Sequence, residues 1–320
     1  MRVKPLREAS PIVLTLLLGF FQGNAAASCG SAFCTINTDW DTQAPWQDEA
    51  TRLDLRMEYI HQDQLRSGTD KATASGELGE HDEIRTLNRN VVANLSHAFS
   101  PVLSLALQVP LVSREHSHVF NGESGPELES WEFSRLGDAR VLAHLRLDDA
   151  QSAHDRFYGL IGGVKLPTGP IDMRNSAGEL AERSLQPGSG STDLIVGGFA
   201  SGRLAQTGWH AQLNWQHAVS ERQDYQQGDH VSLDAGITHP LGTVHVLAQL
   251  NLLWRGHDTG LNAEPDDSGG KYVYFSPGVA APLGRDAQIY GLIQLPLYQN
   301  VNGTQLTADW AATVGLTMRF

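Results

Sequence analysis

Three places in the 320-residue sequence gather side chains able to do chemistry. Cys29 and Cys34 stand close together in Cys29-Gly-Ser-Ala-Phe-Cys34. In an oxidising compartment such a pair reads as a structural disulfide, with a metal site or a redox pair as the competing readings. Lipidation of Cys29 has weaker support, because Ala26-Ala27-Ser28 lacks the bulky residue of a lipobox. Glu115-His116-Ser117-His118 carries two imidazoles one residue apart. They can share a metal only where the backbone bends, and the sequence places no third ligand, so a solvated loop is the simpler reading. Asp266 and Asp267, beside Ser268-Gly269-Gly270, offer oxygen ligands for Ca²⁺ or for a divalent bridge to lipopolysaccharide, again against a plain acidic loop. No cofactor or metal site is expected from these patterns.

A nucleophile is equally hard to place. No G-x-S-x-G occurs, and no spacing brings Ser, His and Asp together, although a triad can assemble from distant segments. A net charge of −13 disfavours a nucleic-acid partner, which needs clustered Lys and Arg.

The elements that must position these residues have a clear period. Residues 1–27 read as a secretory signal: Arg2, Lys4 and Arg7, an apolar stretch from Pro11 to Phe21, then small residues ending at Ala27. Beyond it no stretch reaches the ~18 apolar residues of a spanning helix. Period-two alternation recurs instead, as in Leu53, Leu55, Met57 and Tyr59 against Arg52, Asp54, Arg56 and Glu58. It predicts strands near 51–62, 85–98, 102–112, 137–147, 156–166, 192–202, 208–219, 230–239, 243–255, 271–281, 287–298 and 305–320. The connections alternate between short turns and longer polar loops, at 63–84, 113–136, 167–191, 220–229, 256–270 and 299–304. An even count sorted this way predicts an all-β chain: a transmembrane antiparallel up-and-down β-barrel of about 12 strands, of outer-membrane type. Residues 28–48 would be a periplasmic N-terminal segment or plug, and 49–320 the barrel.

The last strand carries an unbroken apolar face, Trp310, Ala312, Val314, Leu316, Met318 and Phe320. It resembles the C-terminal signal through which outer-membrane proteins meet the barrel-assembly machinery. Parity turns Arg52, Asp54, Arg56, Glu58, Asp138, Arg140, His144, Arg146, Asp234, Asp309 and Arg319 toward the lumen, because charges facing lipid near the midplane cost several kcal/mol. Pro110, Pro167 and Pro296 lie near the outward ends of strands. Proline cannot donate to the ladder, so one of them is a candidate for a side opening, against simple strand termination.

Four segments, LGDARV (136–141), GVKLPTG (163–169), LQPGSGSTDLIVGG (185–198) and LPLYQNVNGTQL (295–306), together with the terminal aromatic, resemble the outer-membrane transporter family named after the meta-pathway of phenol degradation. The resemblance runs from about Leu136 to the end. It implies a barrel passing aromatic or otherwise hydrophobic small molecules, and transfers no functional residues. The expectation is therefore a monomeric, non-enzymatic channel or transporter in the bacterial outer membrane. It would contact lipid, lipopolysaccharide and a small-molecule solute by passive diffusion. A barrel phospholipase or protease, and a non-conducting anchor or receptor barrel, are the alternatives.

Overall fold

The computed structural model describes residues 36–44, 50–148 and 156–320. The signal segment and Cys29 and Cys34 lie outside the described residues.

Fourteen strands follow the chain: β1 (Thr51–Ser67), β2 (Asp70–Lys71), β3 (His81–Ser100), β4 (Leu103–Gly122), β5 (Gly125–Leu136), β6 (Ala139–Arg146), β7 (Arg156–Leu166), β8 (Asp193–Leu204), β9 (Thr207–Ala218), β10 (His230–Leu241), β11 (Val244–Arg255), β12 (Gly270–Pro282), β13 (Ala287–Val301) and β14 (Thr304–Arg319). β2 is a stub on β1, and β5 and β6 both pair with β4, forming one interrupted stave between them. β14 pairs back onto β1 from Arg52↔Arg319 to Ser67↔Thr304, which closes a 12-strand antiparallel barrel. Closure removes the sheet edges that a membrane cannot satisfy. Among the described residues no helix is long and apolar enough to cross a membrane.

The alternation has the consequence expected of a wall between lipid and a wet lumen. Leu105 and Leu107 of β4, Leu194 and Val196 of β8 and Leu213 and Trp215 of β9 are exposed, whereas Ser104, Asp193, Gln212, Asn251 and Ser276 are buried inside. On the outer face Tyr59 stacks on Trp310 with ring centroids 5.3 Å apart, a pair suited to an interfacial girdle. One end has short turns at 101–102, 205–206 and 242–243, and the other carries the loops 167–192, 219–229 and 256–269.

Three expectations change. The stretch 113–136 is not a loop: β4 runs on to Gly122, turns at Glu123-Ser124, and β5 descends in register from Gly122↔Gly125 to Leu111↔Leu136. The apolar signal fades there because both faces of this hairpin are polar, with Arg85 and Arg89 meeting Glu115 outside. Those charges place the hairpin's outer part beyond the lipid band. The stretch 299–304 likewise contains only a tight turn at Asn302-Gly303, where Gly303 takes φ 55°. Finally, Asp309 does not face the lumen. His61 pairs with Trp310 but Gln62 with Ala308, so Asp309 is the extra residue of a β-bulge and is exposed.

Candidate functional site

Residues 36–44 lie inside the barrel. Asn37 exchanges hydrogen bonds with Gln249 (3.0 and 2.9 Å) and donates to Gln212 at 2.9 Å. Asp39 meets His144 at 2.8 Å, Asp41 meets Arg52 at 2.6 Å, and Thr42 donates to Gln212 at 2.7 Å. A four-residue helix, α1 (Trp40–Gln43), aims the indole of Trp40 at Asp54, 3.2 Å away, and edge-on at Tyr290. These contacts reach β1, β6, β9, β11 and β13, so the segment bridges the lumen from wall to wall. Asp54 is its anchor: fully buried, it also accepts from Tyr290 (2.9 Å) and Thr317 (2.8 Å). Tyr290 fits because residue 315 is glycine; a Cβ there would sit 2.3 Å from the ring.

Outward of the segment lies a cavity of about 440 Å³, lined by Asn37 and Asp39 below, by Arg56, Glu58, Arg140, Lys165 and Asp234 at the sides, and by Arg183, Gln186 and Pro187 above. That volume suits a small ligand. Arg56 pairs with Glu58 (2.9 Å) and Lys165 with Asp193 (2.8 Å), while Asp234 accepts from Asn251 (2.7 Å). Arg146 lies near the short-turn end, on Asp148 and over the Phe157 ring, and Arg319 is exposed at that rim.

The ceiling is the loop 167–192, folded inward. Asp138 holds both of its ends, accepting from Gly169 (3.0 Å), from the Ser189 amide (2.8 Å) and from the Ser189 hydroxyl (2.7 Å). Gly169 and Gly188 touch so closely that a Cβ on Gly188 would sit 2.3 Å from the Gly169 oxygen. Farther out, Arg183 lies 4.8 Å over the Tyr225 ring, Tyr225 donates to Asp258 at 2.8 Å, and Arg255 grips both oxygens of Asp258. Burial and the Asp258 carboxylate push the Tyr225 hydroxyl above its ordinary pKa, so it stays a donor.

Two breaks in the wall lie beside prolines singled out in the sequence. At the first, the β4–β6 ladder stops at Gln108↔Arg140 and the β4–β5 ladder starts at Leu111↔Leu136. Val109 and Pro110 thus face Gly137, Asp138 and Ala139, one residue too many, and the inward parity flips between β6 and β5. β5 pairs with β4 alone, so its other edge faces the inward loop, with Trp131 donating to the Glu179 oxygen at 3.1 Å. Pro167 is exposed immediately beyond β7, on the lip of this break. At the second seam the β13–β14 ladder ends at Gln294↔Ala311, although both strands run farther out. Pro296 sits just past that point, opposite a register shift in β12. Pro110 therefore lies within a strand and not near its end.

The remaining sequence candidates resolve as follows. Asp267 spends one oxygen on the Thr304 amide at 2.7 Å and is largely buried. His116 and His118 are on a strand, not in a loop, and both point inward beside His81, Glu83 and Glu129. Burial, with the His118 and Arg114 charges, pushes the His116 imidazole down to about 2, and burial with Glu264 pushes the Glu83 carboxyl well up. An Asp–His pair exists at the outer rim, His217 with Asp229 at 2.7 Å, but the imidazole stacks on Trp215, whose indole donates to the same carboxylate. Sequence reading missed Glu83, Gly137 and the inward loop. Gly137, an isolated glycine in a strand pattern, is the usual mark of a bulge.

Compared with solved structures, the chain is similar to an outer-membrane channel from Pseudomonas putida F1, with a TM-score of 0.66 at 14% identity over 89% of this chain and 100% of that one. The β domain of a Bordetella autotransporter (TM-score 0.45, 9% identity, 85% and 100% covered) and a FadL homologue of Pseudomonas aeruginosa (0.41, 8%, 85% and 90%) share barrel architecture more loosely. No family model matches the chain, and no curated protein matches it. The likeness shows the fold: a closed antiparallel barrel of the kind that channel has.

Proposed function

We propose that the barrel is a passive outer-membrane transporter for small hydrophobic or aromatic molecules, admitted from outside and released sideways through the Pro110 seam. The observation that carries this reading is the continuity between cavity and seam. Pro110, Val112, Asp138 and Pro187 line the cavity, while Leu111, Leu136, Leu166 and Leu194 form an exposed apolar lip on the lipid side of the same break. An aromatic ring bearing a hydroxyl or carboxylate suits both surroundings, a polar cavity and an apolar exit. The wall-to-wall hydrogen bonding of residues 36–44 argues against a straight axial path, and residues 28–48 act as the plug.

Planar-bilayer conductance tests this directly. The full-length protein is expected to be silent, and removal of residues 28–48 to produce ohmic steps. Flux of labelled phenol or benzoate into liposomes is expected from the full-length protein. Steady ohmic steps in the full-length protein would identify an open polar pore and sink the proposal.

A further inference from the structure

We propose that Glu83, His116 and His118, with Glu182 as fourth ligand, bind a divalent transition-metal ion of the zinc class at the outer end of the lumen. The pairing Glu83↔His118 sets the third ligand directly across the strand pair from the two histidines, and a register shift between Glu83 and Arg85 turns the carboxylate inward. The ligand atoms of Glu83, His116 and His118 all lie within 4.8 Å of one another.

The distances suit one ion. His116 Nε2 and His118 Nδ1 are 3.2 Å apart, and Glu83 oxygens lie 3.6 Å from the former and 3.8 Å from the latter. Glu182 Oε1 lies 4.0 Å from His118 Nδ1. Tetrahedral zinc with bonds of about 2.0–2.1 Å needs its ligand atoms roughly 3.3 Å apart, so a small contraction seats Glu83, His116 and His118, while Glu182 on the inward loop must move farther to close the fourth position.

Two further features point to a cation. Both Glu83 oxygens are buried and make no hydrogen bond, an arrangement that costs free energy unless a counter-charge arrives. The far nitrogens of the imidazoles are already oriented: His118 Nε2 meets Glu129 at 2.9 Å, and also His81 at 3.0 Å, while His116 Nδ1 meets Thr86 at 2.9 Å. Protons on those far nitrogens leave two lone pairs facing each other beside a carboxylate, the second-shell pattern of a metal site. Another cluster, Asp39, Asp41 and His144, lacks this character: Asp39 is spent on His144 and Asp41 on Arg52. Because Glu182 belongs to the inward loop, the ion would tie that loop to β3 and β4.

The test uses the full-length protein in detergent, carried without a histidine tag, stripped with chelator, and bearing Cys29→Ser and Cys34→Ser to remove both thiols. One equivalent of Co²⁺ is expected, with the intense visible absorption of a tetrahedral ion, displaced by Zn²⁺. Glu83→Gln and His116→Gln should each weaken binding by more than about a hundredfold, and Glu129→Gln by about tenfold, as outer-shell changes do. Glu83→Gln keeps the shape of the buried side chain, and heat-modifiable gel migration checks that the variant barrel is folded. Absence of Co²⁺ uptake by the stripped parent, or parental affinity in Glu83→Gln, overturns the site.

Discussion

At Pro110 and at Pro296 the same residue interrupts the same kind of wall, yet what lies behind differs. Behind Pro110 is the central cavity, and across the break stand Gly137, with no side chain, and the Pro187 oxygen. Behind the Pro296 seam the space is filled: Leu306 packs with Trp131, Ala181 and Leu185, and with Leu65 beside them. Gln299 bridges that seam, accepting from Arg66 at 3.0 Å and donating to the Ala308 oxygen at 3.1 Å. No residue of β13 or β14 lines the central cavity. A missing stretch of ladder therefore makes an exit only where an unfilled volume meets it.

The sharpest way to break this comparison is to fill the first seam. A Cβ on Gly137 would already lie 3.0–3.1 Å from Val112, Pro110 and the Pro187 oxygen, so Gly137→Val wedges a branched side chain into the break. Phenol flux into liposomes is expected to fall about tenfold or more, a barrier increase of about 1.4 kcal/mol. Unchanged flux in a folded barrel would rule the exit out.

Next in size is the clamp on the inward loop. Asp138→Ala removes three hydrogen bonds to Gly169 and Ser189, and should loosen the ceiling by about 1–3 kcal/mol. Limited proteolysis within 167–192 and a several-fold change in flux are the readouts, and protection equal to the parent's would remove Asp138 from its role as clamp. At the second seam, Gln299→Ala should speed amide exchange around 304–310 by about fivefold, corresponding to about 1 kcal/mol, while leaving flux alone. The smallest effect is expected from Pro296→Ala, with flux within about twofold of the parent. A large loss there would reverse the assignment of the two seams.

The four segments singled out in the sequence, 136–141, 163–169, 185–198 and 295–306, fall on these same places. LGDARV holds the bulge at Gly137 and Asp138, while GVKLPTG and LQPGSGSTDLIVGG supply the two ends of the inward loop. LPLYQNVNGTQL is the second seam with its turn. Proline and glycine are legible because they act locally, one by withholding a donor and the other by permitting close approach. Which of the two breaks opens on empty space is not local, and nothing in the segments themselves states it.

Parity alone puts Asp54 and His144 on the inner face, where the structure has them gripping Trp40 and Asp39 of the N-terminal segment. Parity fails at Asp309, because one inserted residue flips every side chain beyond it until the register recovers. It also fails to separate strand from loop in 113–136, since a hairpin with two polar faces has no apolar face to display.

The sequence by itself determined the number of barrel staves, the inward and outward faces wherever no bulge intervenes, and the ends at which most long and short connections lie. Those follow from a period of two in a chain that must satisfy its backbone within a membrane. Only the tertiary structure decided that residues 36–44 cross the lumen, that Pro110 meets a cavity and Pro296 a packed cluster, and that Glu83 stands against His116 and His118. Each of these joins residues on different staves, and the contact depends on barrel closure and on single-residue bulges that set the register between neighbours.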